Sequence, residues 1–172
     1  MEEKGERINI AYIDGANLHK AITETLKWVG LDYASFRTWL SDKYKIKRAY
    51  LFIGLIPKNK DLYTYLQESG FTLVFKEVVY QGNGKPKGNC DADLLMQANE
   101  DFYKRNANEV VLVASDGDYA PLVKLLFSEK KLRIILSPSP VEKCSILLKR
   151  TGAPIAYLSD QRTLLELKTK GD

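Results

Sequence analysis

The sequence predicts a three-layer α/β/α sandwich on a mainly parallel sheet of about five to six strands. Three observations carry this. Apolar runs alternate with helical stretches along the chain. The runs lack the period-2 alternation of half-buried strands, as strands covered on both faces require. And 172 residues at 45% hydrophobic content fill one core, whereas two domains would be cramped.

The elements follow in order. The run Ile8 to Ile13 (INIAYI) is the first strand, followed by helices over about Ala16 to Trp28 and Tyr33 to Tyr44. Arg48 to Leu55 (RAYLFIGL) is the second strand, Lys58 to Ser69 a helix stopped by Gly70, and Phe71 to Lys76 a strand that could run on to Tyr80. The loop Gln81 to Asn89 (QGNGKPKGN) has glycines, a proline and lysines and no packing residue, so it reads as a surface connector or as a flap that touches phosphate. A long helix covers Asp91 to Arg105, then come the strand Val110 to Ala114, a helix from Tyr119 to Glu129, the strand Leu132 to Leu136, a helix from Val141 to Arg150, a short strand at Pro154 to Tyr157 and a last helix from Gln161.

Composition removes several classes of function. No apolar stretch approaches the roughly 18 residues of a membrane span or forms a leader core, so the chain is expected in the cytoplasm, without a membrane partner. Cys90 and Cys144 have neither CxxC nor Cys/His spacing, which argues against a disulfide framework and a zinc site. A single histidine, His19, rules out catalysis by a pair of imidazoles within one chain, and its place near a helix start reads as solvated. No GxxxxGK[ST] loop and no GxGxxG after a strand is present, which disfavours a nucleotide-binding reading.

Acids fall where a parallel sheet places its ligands, just past the carboxyl ends of strands. Asp14 follows the first strand, and Asp116 and Asp118 follow VVLVA in Ala-Ser-Asp-Gly-Asp-Tyr. Asp118 also suits a helix N-cap, with Pro121 in the first turn. On the long helix, Asp91, Leu94, Leu95, Ala98 and Phe102 share the stripe that should face the sheet, and Asp93, Gln97, Glu100 and Lys104 the opposite one. A carboxylate on a buried face needs a partner or a metal, so Asp91 is the stronger site candidate and Asp93 needs only water; capping is the ordinary role for Asp91. If Asp14, Asp91, Asp116 and Asp118 converge, their repulsion must be relieved by protons or cations, and all-oxygen ligation suits Mg²⁺ or Mn²⁺. Asn17, a turn beyond Asp14, could orient an acid or a water, or simply start the helix.

Taken together, Tyr-Ile-Asp14-Gly-Ala-Asn17, Lys87-Gly-Asn-Cys-Asp91-Ala-Asp-Leu-Leu and Val-Leu-Val-Ala-Ser-Asp116-Gly-Asp118-Tyr, in that order, resemble the NYN domains of the PIN-like nuclease superfamily, particularly the LabA-like group. Departures are Gln97, near which family members often carry a further acid, and Ala-Ser-Asp in place of Ser-Gly-Asp. The resemblance implies one domain over 1–172, with a motif-bearing core at about 8–136 and a helix-strand-helix extension at about 137–168. It further implies metal-dependent cleavage of RNA by one or two Mg²⁺ or Mn²⁺ ions, with Asp14, Asp91, Asp116 and Asp118 as metal-binding acids and Asn17 beside them.

Basic residues would then position the strand. Lys85 and Lys87 stand nearest the acid-bearing helix in sequence, and Lys45, Lys47 and Arg48 form a second basic run entering a strand; either set could equally be plain solvated surface. A net charge of +4 permits contact with RNA without requiring it. A non-catalytic RNA-binding scaffold is the competing expectation, and a homodimer stays open.

Overall fold

The computed structural model describes residues 5–55, 57–77, 79–80, 82–84, 86–87 and 91–169. The chain runs β1 (Ile8–Asp14), α1 (Gly15–Lys20), a π-helical turn (Ala21–Thr25), α2 (Tyr33–Tyr44), β2 (Ile46–Leu55), α3 (Lys60–Glu68) and β3 (Phe71–Glu77). Next come β4 (Val79–Tyr80), β5 (Pro86–Lys87), α4 (Asp91–Tyr103), β6 (Ala107–Val113), a 3-10 turn (Gly117–Tyr119), α5 (Ala120–Ser128) and β7 (Leu132–Ser137). It closes with α6 (Ile146–Lys149), β8 (Ile155–Tyr157), a second 3-10 turn (Leu158–Gln161) and α7 (Arg162–Leu165).

Six strands form one sheet in the order β3-β2-β1-β6-β7-β8, and every neighbouring pair is parallel. The expected fold class is the observed one. Its layers follow from alternation along β1: Ile10 and Tyr12 enter one core with Leu94 and Ala98 of α4 and Leu122 and Leu126 of α5. Ala11 and Ile13 enter the other with Leu18 of α1 and Phe36 and Leu40 of α2. Strand order reverses between β1 and β6, so the crevice for a ligand opens beyond the carboxyl ends of these two strands.

Two expectations on elements need correction. The helix predicted over Ala16 to Trp28 is α-helical only to Lys20; it widens into the π turn, where the Leu26 N–H reaches back to the Ala21 carbonyl at 2.8 Å. The helix predicted from Val141 begins at Ile146, because the Ser145 hydroxyl caps it by accepting from the Leu147 N–H. The strand from Phe71 is described to Glu77 as β3, and Val79–Tyr80 are extended again as β4, pairing antiparallel with β5, Val79 opposite Lys87. Among the described residues, no helix is long and apolar enough to cross a membrane.

Candidate metal centre

Two Asp-Gly pairs sit at the reversal point. Asp14 ends β1 and Asp116 follows β6, and each acid is succeeded by a glycine that the packing demands. A Cβ on Gly15 would overlap the Ile53 side chain and lie 2.5 Å from the Phe52 carbonyl oxygen. On Gly117 it would lie 2.6 Å from the Ser145 hydroxyl and 2.9 Å from Leu147. The chain therefore passes close to its neighbours just beyond both acids, against β2 at Gly15 and against the start of α6 at Gly117.

Asp91, Asp116 and Asp118 each present a carboxylate oxygen within 4.8 Å of the others. Asp91 comes from the first turn of α4, and the other two from the segment joining β6 to α5. Asp91 is half-buried, whereas Asp116 and Asp118 are exposed. Asp116 also caps the 3-10 turn, its Oδ1 accepting from the Asp118 N–H at 3.0 Å. The N-cap role open to Asp118 in the sequence thus falls to Asp116, which leaves the Asp118 carboxylate to the cluster.

Asp14 is not one of these three. It is 4% exposed, and both of its oxygens are engaged: Oδ1 accepts from the Asn17 N–H at 3.0 Å, and Oδ2 from the Tyr119 hydroxyl at 2.9 Å. The same hydroxyl lies 2.9 Å from Oδ1 of Asp91. Tyr119, fully buried, therefore joins Asp14 to the cluster without Asp14 being a vertex of it. Burial pushes the Asp14 carboxyl up to about 6, with hydrogen bonds from Asn17 and Tyr119 opposing the rise and the Asp91 charge adding to it. The Tyr119 hydroxyl is raised far above its ordinary value by burial and by Asp14 and Asp91, so it stays protonated. One hydroxyl proton cannot serve two ionised carboxylates. Both contacts are hydrogen bonds only while one acid carries a proton, and burial raises the proton affinity of Asp14.

The Asn17 side chain reaches across to Ser115. Its Oδ1 accepts from the Ser115 N–H at 3.1 Å and the Ser115 hydroxyl at 2.9 Å, and Ser115 in turn contacts the Ser139 hydroxyl at 2.9 Å. This tethers α1 to the end of β6. Its backbone N–H, rather than its side chain, is what serves Asp14. A cleft of about 230 Å³, bordered by Asn17, Lys20, Asp116 and Lys143, opens beside it. A wider cavity of about 450 Å³, lined by Arg7, Phe102, Arg105 and Leu126, borders none of the clustered acids.

The predicted basic run is elsewhere. Arg48 pairs with Ile10, so Lys45, Lys47 and Arg48 sit at the amino end of β2, and the acids lie past the carboxyl ends. The Lys45 ammonium donates to the Asp42 carbonyl, and Arg48 lies over the Tyr50 ring, 5.8 Å from its centroid. Lys85 and Cys90 lie outside the described residues; the backbone of Lys87 belongs to β5. His19 is exposed, Cys144 is buried with a free thiol, and Asp93 is half-buried outside the cluster.

Two buried side chains have partners that the sequence reading did not assign. Tyr119 is one. The other is Asp101, 3% exposed, which accepts from the Tyr12 hydroxyl at 2.6 Å, from Asn106 Nδ2 at 3.1 Å and from Gln97 Nε2 at 3.3 Å. Gln97 is accordingly half-buried rather than on a fully polar stripe.

Oxygens ligating one hard cation at about 2.0–2.6 Å lie at most about 5 Å apart, so the spacing of Asp91, Asp116 and Asp118 fits a shared divalent ion. Neither Asp116 nor Asp118 forms an ion pair among the described residues that would neutralise it instead. Fold and site together define an α/β domain with an acidic, cation-competent crevice at its strand reversal. The chain belongs to the NYN-domain family, whose model matches residues 9–150, which makes it nuclease-like. A protein of unknown function from Vibrio parahaemolyticus, solved by crystallography, shares the fold at 22% identity and TM-score 0.72, with 96% of this chain and 99% of that one covered. No curated protein is significantly similar in sequence.

Proposed function

We propose that this chain is a divalent-metal-dependent ribonuclease of the LabA-like group of NYN domains, one domain throughout, working in the cytoplasm with Mg²⁺ or Mn²⁺. The observation that carries the reading is the convergence of Asp91, Asp116 and Asp118 within 4.8 Å at the crevice of the sheet. The ordered motif around Asp14, Asp91 and Asp116 supports the group.

The residues divide the work. Asp91, Asp116 and Asp118 would hold the cation. Bound there, it would supply the Lewis-acid charge that phosphodiester hydrolysis requires. Tyr119 and Asp14 fix the Asp91 carboxylate from the buried side, and Gly15 and Gly117 keep both strand ends close enough for this. Asn17 holds α1 against β6 through Ser115. No side-chain nucleophile is required, in keeping with a single, exposed histidine.

Cleavage of labelled single-stranded and structured RNA in Mn²⁺ or Mg²⁺, beside EDTA and Asp116→Asn, tests the reading. The expected outcome is metal-dependent cleavage that the variant lacks. RNA binding with no cleavage under either metal would instead make the chain a scaffold, and equal activity in both proteins would put the chemistry elsewhere.

A further inference from the structure

The cleft beside the acid cluster has walls of a different character. Asp116 belongs to both, so the two are contiguous. Lys20, the last residue of α1, and Lys143, in the turn before α6, border it from opposite sides of the strand reversal. Both are exposed, and neither ammonium makes a hydrogen bond or ion pair among the described residues. The π turn after Lys20 forms part of the same wall through Ala21 and Thr25.

The floor is polar and oriented. Because Asn17 Oδ1 accepts both Ser115 donors, its Nδ2 is on the other side of the amide. That Nδ2 has no hydrogen-bond partner among the described residues, and no buried side-chain nitrogen or oxygen lacks one, so it is open to solvent in the cleft. Two ammonium groups and an amide donor, with Asp116 as the one carboxylate among the described residues that line the cleft, suit an anion.

We infer that the cleft of Asn17, Lys20 and Lys143 binds a backbone phosphate of the nucleic-acid strand, adjacent to the linkage held at the acid cluster. The ligand class rests on the nuclease reading. The site is distinct from Lys45, Lys47 and Arg48, which the fold places at the opposite end of the sheet.

The test reads binding without metal, so it is separable from catalysis. Fluorescence anisotropy of a labelled oligouridylate in EDTA, over a range of salt, is compared for the wild type, Lys20→Ala with Lys143→Ala, Asn17→Asp, and Lys45→Ala with Lys47→Ala. Loss of two phosphate contacts should weaken affinity several-fold and reduce the slope of log K against log salt by about 1.4 on a single strand. Asn17→Asp keeps the oxygen that faces Ser115 and replaces the donor with an acceptor, so it should also weaken binding. The Lys45/Lys47 pair should leave the slope unchanged. An unaltered slope in the Lys20/Lys143 variant, an equal loss in the Lys45/Lys47 variant, or no wild-type affinity overturns the inference. Intact binding dependence on Lys20 and Lys143 with no cleavage under any metal would overturn the nuclease reading alone.

Discussion

The two ends of α4 carry the same pair of groups in opposite states. In its last turn, Asp101 is buried against the Tyr12 hydroxyl; in its first, Asp91 meets the Tyr119 hydroxyl. Asp101 accepts from three donors, Tyr12, Gln97 and Asn106, and among the described residues none of them is shared with a second acid. Tyr119 must divide one proton between Asp91 and Asp14, and two more carboxylates, Asp116 and Asp118, stand within 4.8 Å of Asp91. Buried position alone therefore does not mark a site. What marks the site is the convergence of several carboxylates on one point, whose mutual repulsion protons or a cation must relieve.

The largest expected effect separates neighbours on that helix. Asp91→Asn should lower metal-dependent cleavage by about 100-fold or more, since a cation ligand is lost, whereas Asp93→Asn should stay near wild type. Comparable losses in a side-by-side rate assay would break the distinction between clustered and unclustered acids.

The tyrosines should come next, with effects of different kind. Tyr12→Phe leaves Asp101 one donor short in a sealed core, so it should cost about 1–3 kcal/mol of unfolding free energy and leave the cleavage rate of the folded protein unchanged. Tyr119→Phe should lower Mn²⁺ affinity by about 10-fold or more, because the Tyr119 hydroxyl positions the Asp91 carboxylate. If denaturant melts and Mn²⁺ affinities show the same pattern for both variants, the two pairs do not differ in role.

The smallest effect concerns pH without metal. Asp14 is raised to about 6 in the fold from an ordinary 3.8, so the folded state binds more protons than the unfolded between those values. Its contribution favours folding at the acid side and is lost as pH climbs from about 4 through 6, amounting to roughly 2–3 kcal/mol. Asp14→Asn should remove that slope and melt higher than wild type at neutral pH in EDTA. A steeper slope in the variant would contradict the assignment.

Much of this was readable in one dimension. Parallel strands announced themselves as apolar runs, and acids just past two of them mark the crevice because the reversal of strand order falls there. Helical periodicity set Asp91 apart from Asp93. The same periodicity places Asp101 seven residues beyond Leu94 on the buried face, a signal hidden because an acid near a helix end is ordinarily solvated. The Lys45–Arg48 run could also have been set aside from the sequence: residues entering a parallel strand lie at the end opposite those leaving it. Tyr119 had no such signal. Its two partners lie 105 and 28 residues away, and only the folded chain brings them to one oxygen.

Titration of the metal-free protein with Mn²⁺ by calorimetry, in the wild type, Asp116→Asn and Asp101→Asn, addresses the cation most directly. The expected result is saturable binding in the wild type, retained in Asp101→Asn and lost in Asp116→Asn. Absence of binding in the wild type, or undiminished binding in Asp116→Asn, would show that Asp91, Asp116 and Asp118 do not form the metal centre.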